Sequence, residues 1–265
     1  SFNNSGFDVL GNGTSLIPYQ KDVLLNLVTC ALVIAGGIGF PVIFELPLKH
    51  FSWKRQSMHT RVVLSTTFAL LLFGTLLLKL TESISWLGAF FYSVSARTAG
   101  FSTYNLSDFS TAGLLVVSGL MFIGASPAST GGGIKTTTFF VLLSGIYSAA
   151  TNHSERAFHN AIPKDAFRKA SVISMLAVFL VMTASYLMLI FDPQLSLRDV
   201  LFEMISAFST SGLSTGITPQ LSAQSRILSI IMMYIGRLGP LTVASLWYFT
   251  IGERVRYPEG TIAIG

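Results

Sequence analysis

The hexapeptide TAGFST, residues Thr98–Thr103, recurs as TSGLST at Thr210–Thr215, with Thr, Gly, Ser and Thr in register. Each copy follows a short apolar segment, Ser83–Ala96 in one case and Leu197–Phe208 in the other. Neither segment is long enough to cross a hydrocarbon core of about 30 Å, which takes roughly 20 helical residues. Each lies just beyond an apolar stretch that is long enough, Val62–Leu80 and Ser171–Phe191. The opening residues NNSGFDV (Asn3–Val9) fit the same frame, with Gly6 matching Gly100 and Gly212 at spacings of 94 and 112 residues. A period this long, with one order of span, short helix and glycine loop, predicts duplicated span–re-entrant–span units.

Composition agrees. Of 265 residues 51% are apolar and only 11% charged, against about 25% charged in an average soluble domain. So few ionisable side chains do not clothe a water-facing surface, which excludes a soluble enzyme, a disordered tail and a disulfide scaffold. The single Cys30 lies in an apolar run. The net charge of +5 comes without basic clusters interleaved with stacking aromatics, so nucleic acid is not an expected partner. The partner the composition does predict is the lipid bilayer.

Two further spans are expected at Val23–Phe44 and Ile227–Ile251, the second interrupted by Gly236-Arg237-Leu238-Gly239-Pro240. Between the second and third spans, Thr111–Ile123 and Thr138–Ala150 are apolar halves of 13 residues each, separated by GASPASTGGGIKTT (Gly124–Thr137). Pro127 and three consecutive glycines rule out regular helix there. Irregular backbone at membrane depth is tolerated only where it is buried in protein or lines a wet cavity. The stretch therefore predicts one discontinuous helix with a polar loop inside the bilayer. The expected fold is all-α and polytopic, with repeated helix–short helix–helix units: 1–61 the end of one unit, 62–169 a whole unit with the central loop at 124–137, and 170–265 another with a tail.

Loop charges orient the chain. Glu45–Arg61, Thr151–Lys169 and the tail hold 10 basic and 5 acidic residues; the other side holds 5 basic, among them Arg97, and 7 acidic. The positive-inside rule places the first set in the cytosol and opens the glycine loops outward. Lys135 and Arg237 are the two basic residues left inside the membrane. An intramembrane charge is a functional feature by default, and backbone carbonyls freed by the break at Gly236–Pro240 are the expected partners of Arg237.

Glycine permits the backbone angles that turn carbonyls toward an axis, and rings of carbonyls replace the hydration shell of a monovalent cation. A short helix aimed inward adds the negative end of its dipole. The loops Thr98–Thr103 and Thr210–Thr215 hold no carboxylate, which points away from Ca²⁺ and Mg²⁺. Two rivals fare worse. A phosphate loop needs Gly-Lys-Ser/Thr contiguous after a strand, and Ile134 separates Gly133 from Lys135. A secondary transporter with a midplane site would show inverted repeats and intramembrane acids, whereas these repeats run parallel.

Taken together, NNSGFDV, RTAGFST, STSGLST, GASPASTGGGIKTT and IGRLGPLT resemble the Trk/Ktr/HKT superfamily of cation transporters, and within it the bacterial Ktr membrane subunits. The resemblance implies four such units around one ion path, of which this chain would hold about two and a half. It implies K⁺ uptake, with Na⁺ a possible co-ion, and a pseudo-four-fold, potassium-channel-like fold in a bacterial cell membrane. It implies a homodimer on a cytosolic ring of regulatory subunits, which bind the nucleotide in place of this chain. By position, backbone carbonyls of Asn4, Ser5, Gly6, Thr98, Ala99, Gly100, Thr210, Ser211 and Gly212 would form the selectivity filter and hold K⁺. Glycine in all three loops fits K⁺ selectivity, and the TVGYG string of potassium channels is absent. The loop with Gly131, Gly132, Gly133 and Lys135 would be an intramembrane gate contacted by Arg237.

Overall fold

In a computed structural model the chain is described over residues 1–8, 11, 14–152, 156–158, 160–163, 165–240 and 242. The far part of the span expected at Ile227–Ile251 and the C-terminal tail lie outside the described residues.

The first span is bent. Helix α1 (Val23–Ile38) gives way at Gly39 to α2 (Phe40–Leu48), which turns away by 97°. The sequence predicts a single span over Val23–Phe44. Its correction is local: Gly39 takes φ +98°, which L side chains disfavour, and Pro41 then starts the new helix.

The next unit runs α3 (Met58–Thr81), α4 (Trp86–Ser95) and α5 (Thr111–Phe122), then α6 (Thr136–Thr151) beyond the central loop. A two-residue hairpin, β1 (Arg156–Ala157) with β2 (Asn160–Ala161), leads to α7 (Ala166–Phe191), α8 (Leu197–Ser209) and α9 (Ala223–Leu238). Helices α3 and α7 are long and apolar enough to cross a membrane alone, and α1 with α2 make a third span if counted together. The short helices α4 and α8 fill the expected re-entrant positions.

One polar device starts the helices after the second and third glycine loops, whereas α1 is capped by Asp22, whose Oδ1 accepts from Leu25 N at 3.0 Å. Ser110 caps α5, donating through N and Oγ to Glu82 Oε1 at 3.0 and 2.6 Å, while its Oγ accepts from Gly113 N. Ser222 caps α9 and donates in the same two ways to Asp192 Oδ2, at 3.1 and 3.0 Å. Each carboxylate closes the preceding long helix, so each of these two units is tied at its loop end by an acid–serine clasp. Such caps contribute about 1 kcal/mol apiece. The Ser225 hydroxyl, and then Ser222, hold the Asp192 carboxyl below the usual carboxylate range. Because the folded form lowers that pKa, the clasp is fully present at neutral pH and is lost only as acid protonates it.

Apolar packing follows the units. Leu78, Tyr92, Val117 and Met121 of α3, α4 and α5 form one cluster that also takes in Phe202 of α8. Ala177, Met188, Met204, Phe208 and Met232 of α7, α8 and α9 form another. On α7 the opposite face, with Met175, Phe179, Met182 and Tyr186, is exposed and apolar, as a lipid-facing stripe requires.

The inner helices press on the ends of the short segments through glycine. A Cβ on Gly236 would fall 1.7 Å from the Phe208 carbonyl oxygen, and one on Gly36 would fall 1.9 Å from that of Phe2. Phe2 and Phe208 stand at the same place, four residues before Gly6 and Gly212. The same close approach is therefore used in two units. Gly236→Ala is expected to lower the thermal midpoint of the full-length protein in detergent by several degrees. Gly119→Ala, whose Cβ meets nothing within 4 Å, leaves it unchanged or higher; equal effects would contradict the packing account.

Candidate functional site

Helix α4 ends where its Ser95 carbonyl accepts from Ala99 N at 2.9 Å and Gly100 N at 3.3 Å. Helix α8 ends likewise, the Ser206 carbonyl accepting from Ser211 N at 3.0 Å. Beyond each end the backbone takes left-handed angles at alternate residues: Thr98 (φ +82°) and Gly100 (+81°), then Thr210 (+53°) and Gly212 (+82°). The first loop repeats the pattern at Asn4 (+49°) and Gly6 (+60°). Alternating hands turn successive carbonyls to one side of the chain and N–H groups to the other.

The three loops lie against one another. A Cβ on Gly6 would sit 2.3 Å from the Ala99 carbonyl oxygen, and one on Gly100 would sit 2.3 Å from that of Ser211. Glycine is required at both by the space as well as by φ. Side chains tie the loops together: Asn4 Nδ2 donates to Thr98 Oγ1 at 3.1 Å, and Ser211 Oγ donates to the Ala96 carbonyl at 3.2 Å. Thr98, Ala99 and Ser211 are buried. All nine residues expected at this site, Asn4–Gly6, Thr98–Gly100 and Thr210–Gly212, are thus brought into one assembly.

On the side of the residues that follow the glycines, a cavity of about 420 Å³ is lined by Gly6, Gly100 and Gly212 together with Asp8, Ser102 and Thr215. Against the residues that precede them lies the central loop. A Cβ on Gly131 would fall 2.1 Å from Thr98 Oγ1, and one on Gly132 would fall 2.6 Å from Thr210 Oγ1. Gly133 (φ +71°) turns the chain back toward Gly124. The neck closes where Ile134 N donates to the Phe122 carbonyl at 3.2 Å and Thr136 Oγ1 to Ser126 Oγ at 3.0 Å.

The loop is held from two flanks. On one, Gly36 and Gly37 at the end of α1 accept from Thr130 N (3.3 Å) and Ser126 N (3.0 Å), and Phe40 N donates to the Ala128 carbonyl at 3.0 Å. On the other, Arg237 Nη1 donates to the Thr130 carbonyl. Lys135 Nζ donates to the Gly131 carbonyl at 2.6 Å. The two cations therefore grip neighbouring carbonyls of one loop. The expectation that Arg237 bonds to carbonyls freed in its own helix is corrected: its partner lies 107 residues away.

Two buried charges escaped the sequence reading, which placed both on the outer, watered side. Arg97 is 6% exposed and Glu203, on α8, 8%. Thr218 Oγ1 donates to Glu203, and its Oε2 has no hydrogen-bond partner among the described residues. Arg97 stands among small residues, Ser95, Ala96, Thr98 and Ala99, and Glu203 in the apolar part of α8 beyond Arg198 and Asp199, which is the signal that marks them.

Residues 1–250 match the profile of the cation transport protein family TrkH. The chain belongs to that family. Its members are multi-pass membrane transporters, not enzymes. The Ktr system potassium uptake protein D of Bacillus subtilis is 36% identical over 281 residues, covering 99% of this chain and 61% of that protein. The Ktr system potassium uptake protein B of Vibrio alginolyticus is 35% identical, over 100% and 61%. The potassium/sodium uptake protein NtpJ of Enterococcus hirae is 34% identical, over 100% and 62%. The chain thus spans about 61% of the length of these relatives. The crystal structure of the potassium transporter TrkH from Vibrio parahaemolyticus superposes with a TM-score of 0.74 at 18% identity, over 93% of this chain and 56% of that one. That likeness establishes the discontinuous-helix membrane fold.

The contact between loops yields a direct prediction. Gly100→Ala places a Cβ at φ +81° against the Ser211 carbonyl. Strain of that kind costs about 1–3 kcal/mol. The variant is expected to show a lower thermal midpoint than wild type in detergent; an unaltered midpoint would contradict the contact between the loops.

Proposed function

We propose that this chain forms part of the ion path of a K⁺ uptake transporter, with the three glycine loops as consecutive members of a carbonyl-lined selectivity filter. The observation that carries the reading is the backbone contact from Gly6 to Gly100 and from Gly100 to Gly212, each at positive φ. A dehydrated monovalent cation needs several carbonyl oxygens at once, and no charged side chain to bind it too tightly. The cavity beside Asp8 supplies the entrance, and the acid there draws cations in. Similarity to proteins named for potassium uptake supports K⁺ as the ion; the potassium/sodium name of one relative supports Na⁺ as a second.

In this reading the loop at 124–137 is the gate. It lies directly against the inner ends of two filter loops, at Thr98 and Thr210. Lys135 and Arg237 hold it there and also place positive charge beside the path, which repels cations while the loop is seated. Release of the Thr130 carbonyl from Arg237 frees one flank. The Ktr names of the relatives support assembly with further subunits, and we assign nucleotide binding to a cytosolic regulatory ring and dimerisation to a second copy of the full-length chain.

Growth tests the whole reading. Full-length protein, with its regulatory partner, should restore growth of a bacterium lacking its own K⁺ uptake on low-K⁺ medium; failure despite normal membrane insertion would sink it. The gate has its own test. Arg237→Ala should raise Rb⁺ leak into liposomes by several-fold in the absence of activating nucleotide, and unchanged flux would count against the clasp.

A further inference from the structure

Arg97 stands between the end of α4 and the glycine loop at 98–100 and is buried. Arg97 lines a small space with Gly37 and Val33 of α1 and Thr67 and Leu71 of α3. No acidic residue lines that space. The volume is about 10 Å³, which is close to what one water molecule needs. Two polar atoms facing this region are buried without a hydrogen-bond partner among the described residues: Arg97 Nε and Thr67 Oγ1. A donor and a hydroxyl around a water-sized void, both unsatisfied, specify a bridging water.

The charge at this position is peculiar to one loop. Counting back three residues from each glycine gives Asn3, Arg97 and Ser209. Two of the three loops are neutral there, and the third carries a guanidinium that stays charged in any environment. Among the described residues no salt bridge is formed by Arg97, and it lies beside the C-terminal, negative end of the α4 dipole. Arg97 is directly followed by Thr98 and Ala99, whose carbonyls belong to the proposed filter. A fixed positive charge within one side-chain length of a cation site weakens binding there by direct repulsion, strongly so in a medium poorer in water than the bulk.

We propose that Arg97 is an affinity-setting residue of the ion path: held behind the loop by one buried water shared with Thr67, its guanidinium weakens cation binding at the 98–100 carbonyls so that the ion is released rather than trapped. Conduction needs binding strong enough to admit an ion and weak enough to let it leave. A ring of carbonyls in a dry site with a helix dipole behind each loop errs toward tightness, and one positive charge in one loop offsets it. The inference rests on the reading of the glycine loops as a filter. The side chain acts through its field and touches no ion.

The test is Rb⁺ and K⁺ uptake kinetics of the full-length transporter in cells lacking other K⁺ uptake, with assembled protein measured by size-exclusion fluorescence. Arg97→Gln, which keeps hydrogen bonding and removes the charge, should lower KM for K⁺ by roughly five-fold or more and lower the maximal rate with it. Arg97→Lys, which keeps the charge, should hold KM within about two-fold of wild type. Thr67→Val, which removes the water's second partner, should shift KM in the same direction as Gln by a smaller factor. A purely structural role would reduce the amount of assembled protein and leave KM where it was. Equal KM values for Gln, Lys and wild type overturn the proposal, as do equal shifts in Gln and Lys. Should Arg97→Gln fail to assemble, Thr67→Val decides, and an unchanged KM there overturns it. Loss of uptake by wild type itself would instead refute the filter reading.

Discussion

At membrane depth a backbone carbonyl or N–H has no water to turn to, and everything irregular in this chain is arranged around that constraint. The three glycine loops and the central loop leave helix in the middle of apolar surroundings. Their polar groups are met by one another: Ser95 and Ser206 carbonyls close the turns after α4 and α8, Gly36 and Gly37 carbonyls receive the central loop, and Thr130 and Gly131 carbonyls receive Arg237 and Lys135. In the three glycine loops φ is positive at alternate residues, at Asn4 and Gly6, Thr98 and Gly100, and Thr210 and Gly212. The proposed function reads the carbonyls of these loops as the cation site.

The same constraint explains the close approaches. For one loop's oxygen to lie against the next loop's α-carbon, no Cβ fits between them, which fixes Gly6 and Gly100. For the inner helices to reach the ends of the short segments, Gly36 and Gly236 are bare. Serine caps and acid clasps then anchor two of the units at their loop ends, through Glu82 with Ser110 and Asp192 with Ser222. The central loop between these anchored ends is held by backbone bonds to Gly36, Gly37 and Phe40 on one flank and by the side chains of Lys135 and Arg237.

Much of this was legible before any coordinates. The TAGFST and TSGLST repeat marks both loops, and the length of the apolar runs beside them separates α4 and α8 from full spans. The broken helix was readable almost to the residue, because Pro127 and three glycines leave no other option; α5 and α6 begin and end within two residues of the expected Thr111–Ile123 and Thr138–Ala150. The bend at Gly39 was hidden, since an apolar run on both sides of a glycine reads as one span whatever the angle between its halves. Arg97 and Glu203 were misplaced because a one-dimensional tally assigns charge to the nearer aqueous side. Burial behind a loop depends on neighbours from α1 and α3, dozens of residues away. The residues alone point Arg237 to carbonyls of its own helix, and only the family resemblance sets it against the central loop, where it meets Thr130.

The central claim is that the carbonyls gathered by Gly6, Gly100 and Gly212 bind a monovalent cation. Crystals of the full-length protein grown in Tl⁺ or Rb⁺ test it by anomalous scattering. The account predicts a peak on the axis between the three glycine loops, within coordination distance of the Ala99 and Ser211 carbonyl oxygens, which K⁺ displaces in competition. Density confined to the space beside Glu203, with none among the loops, would contradict it.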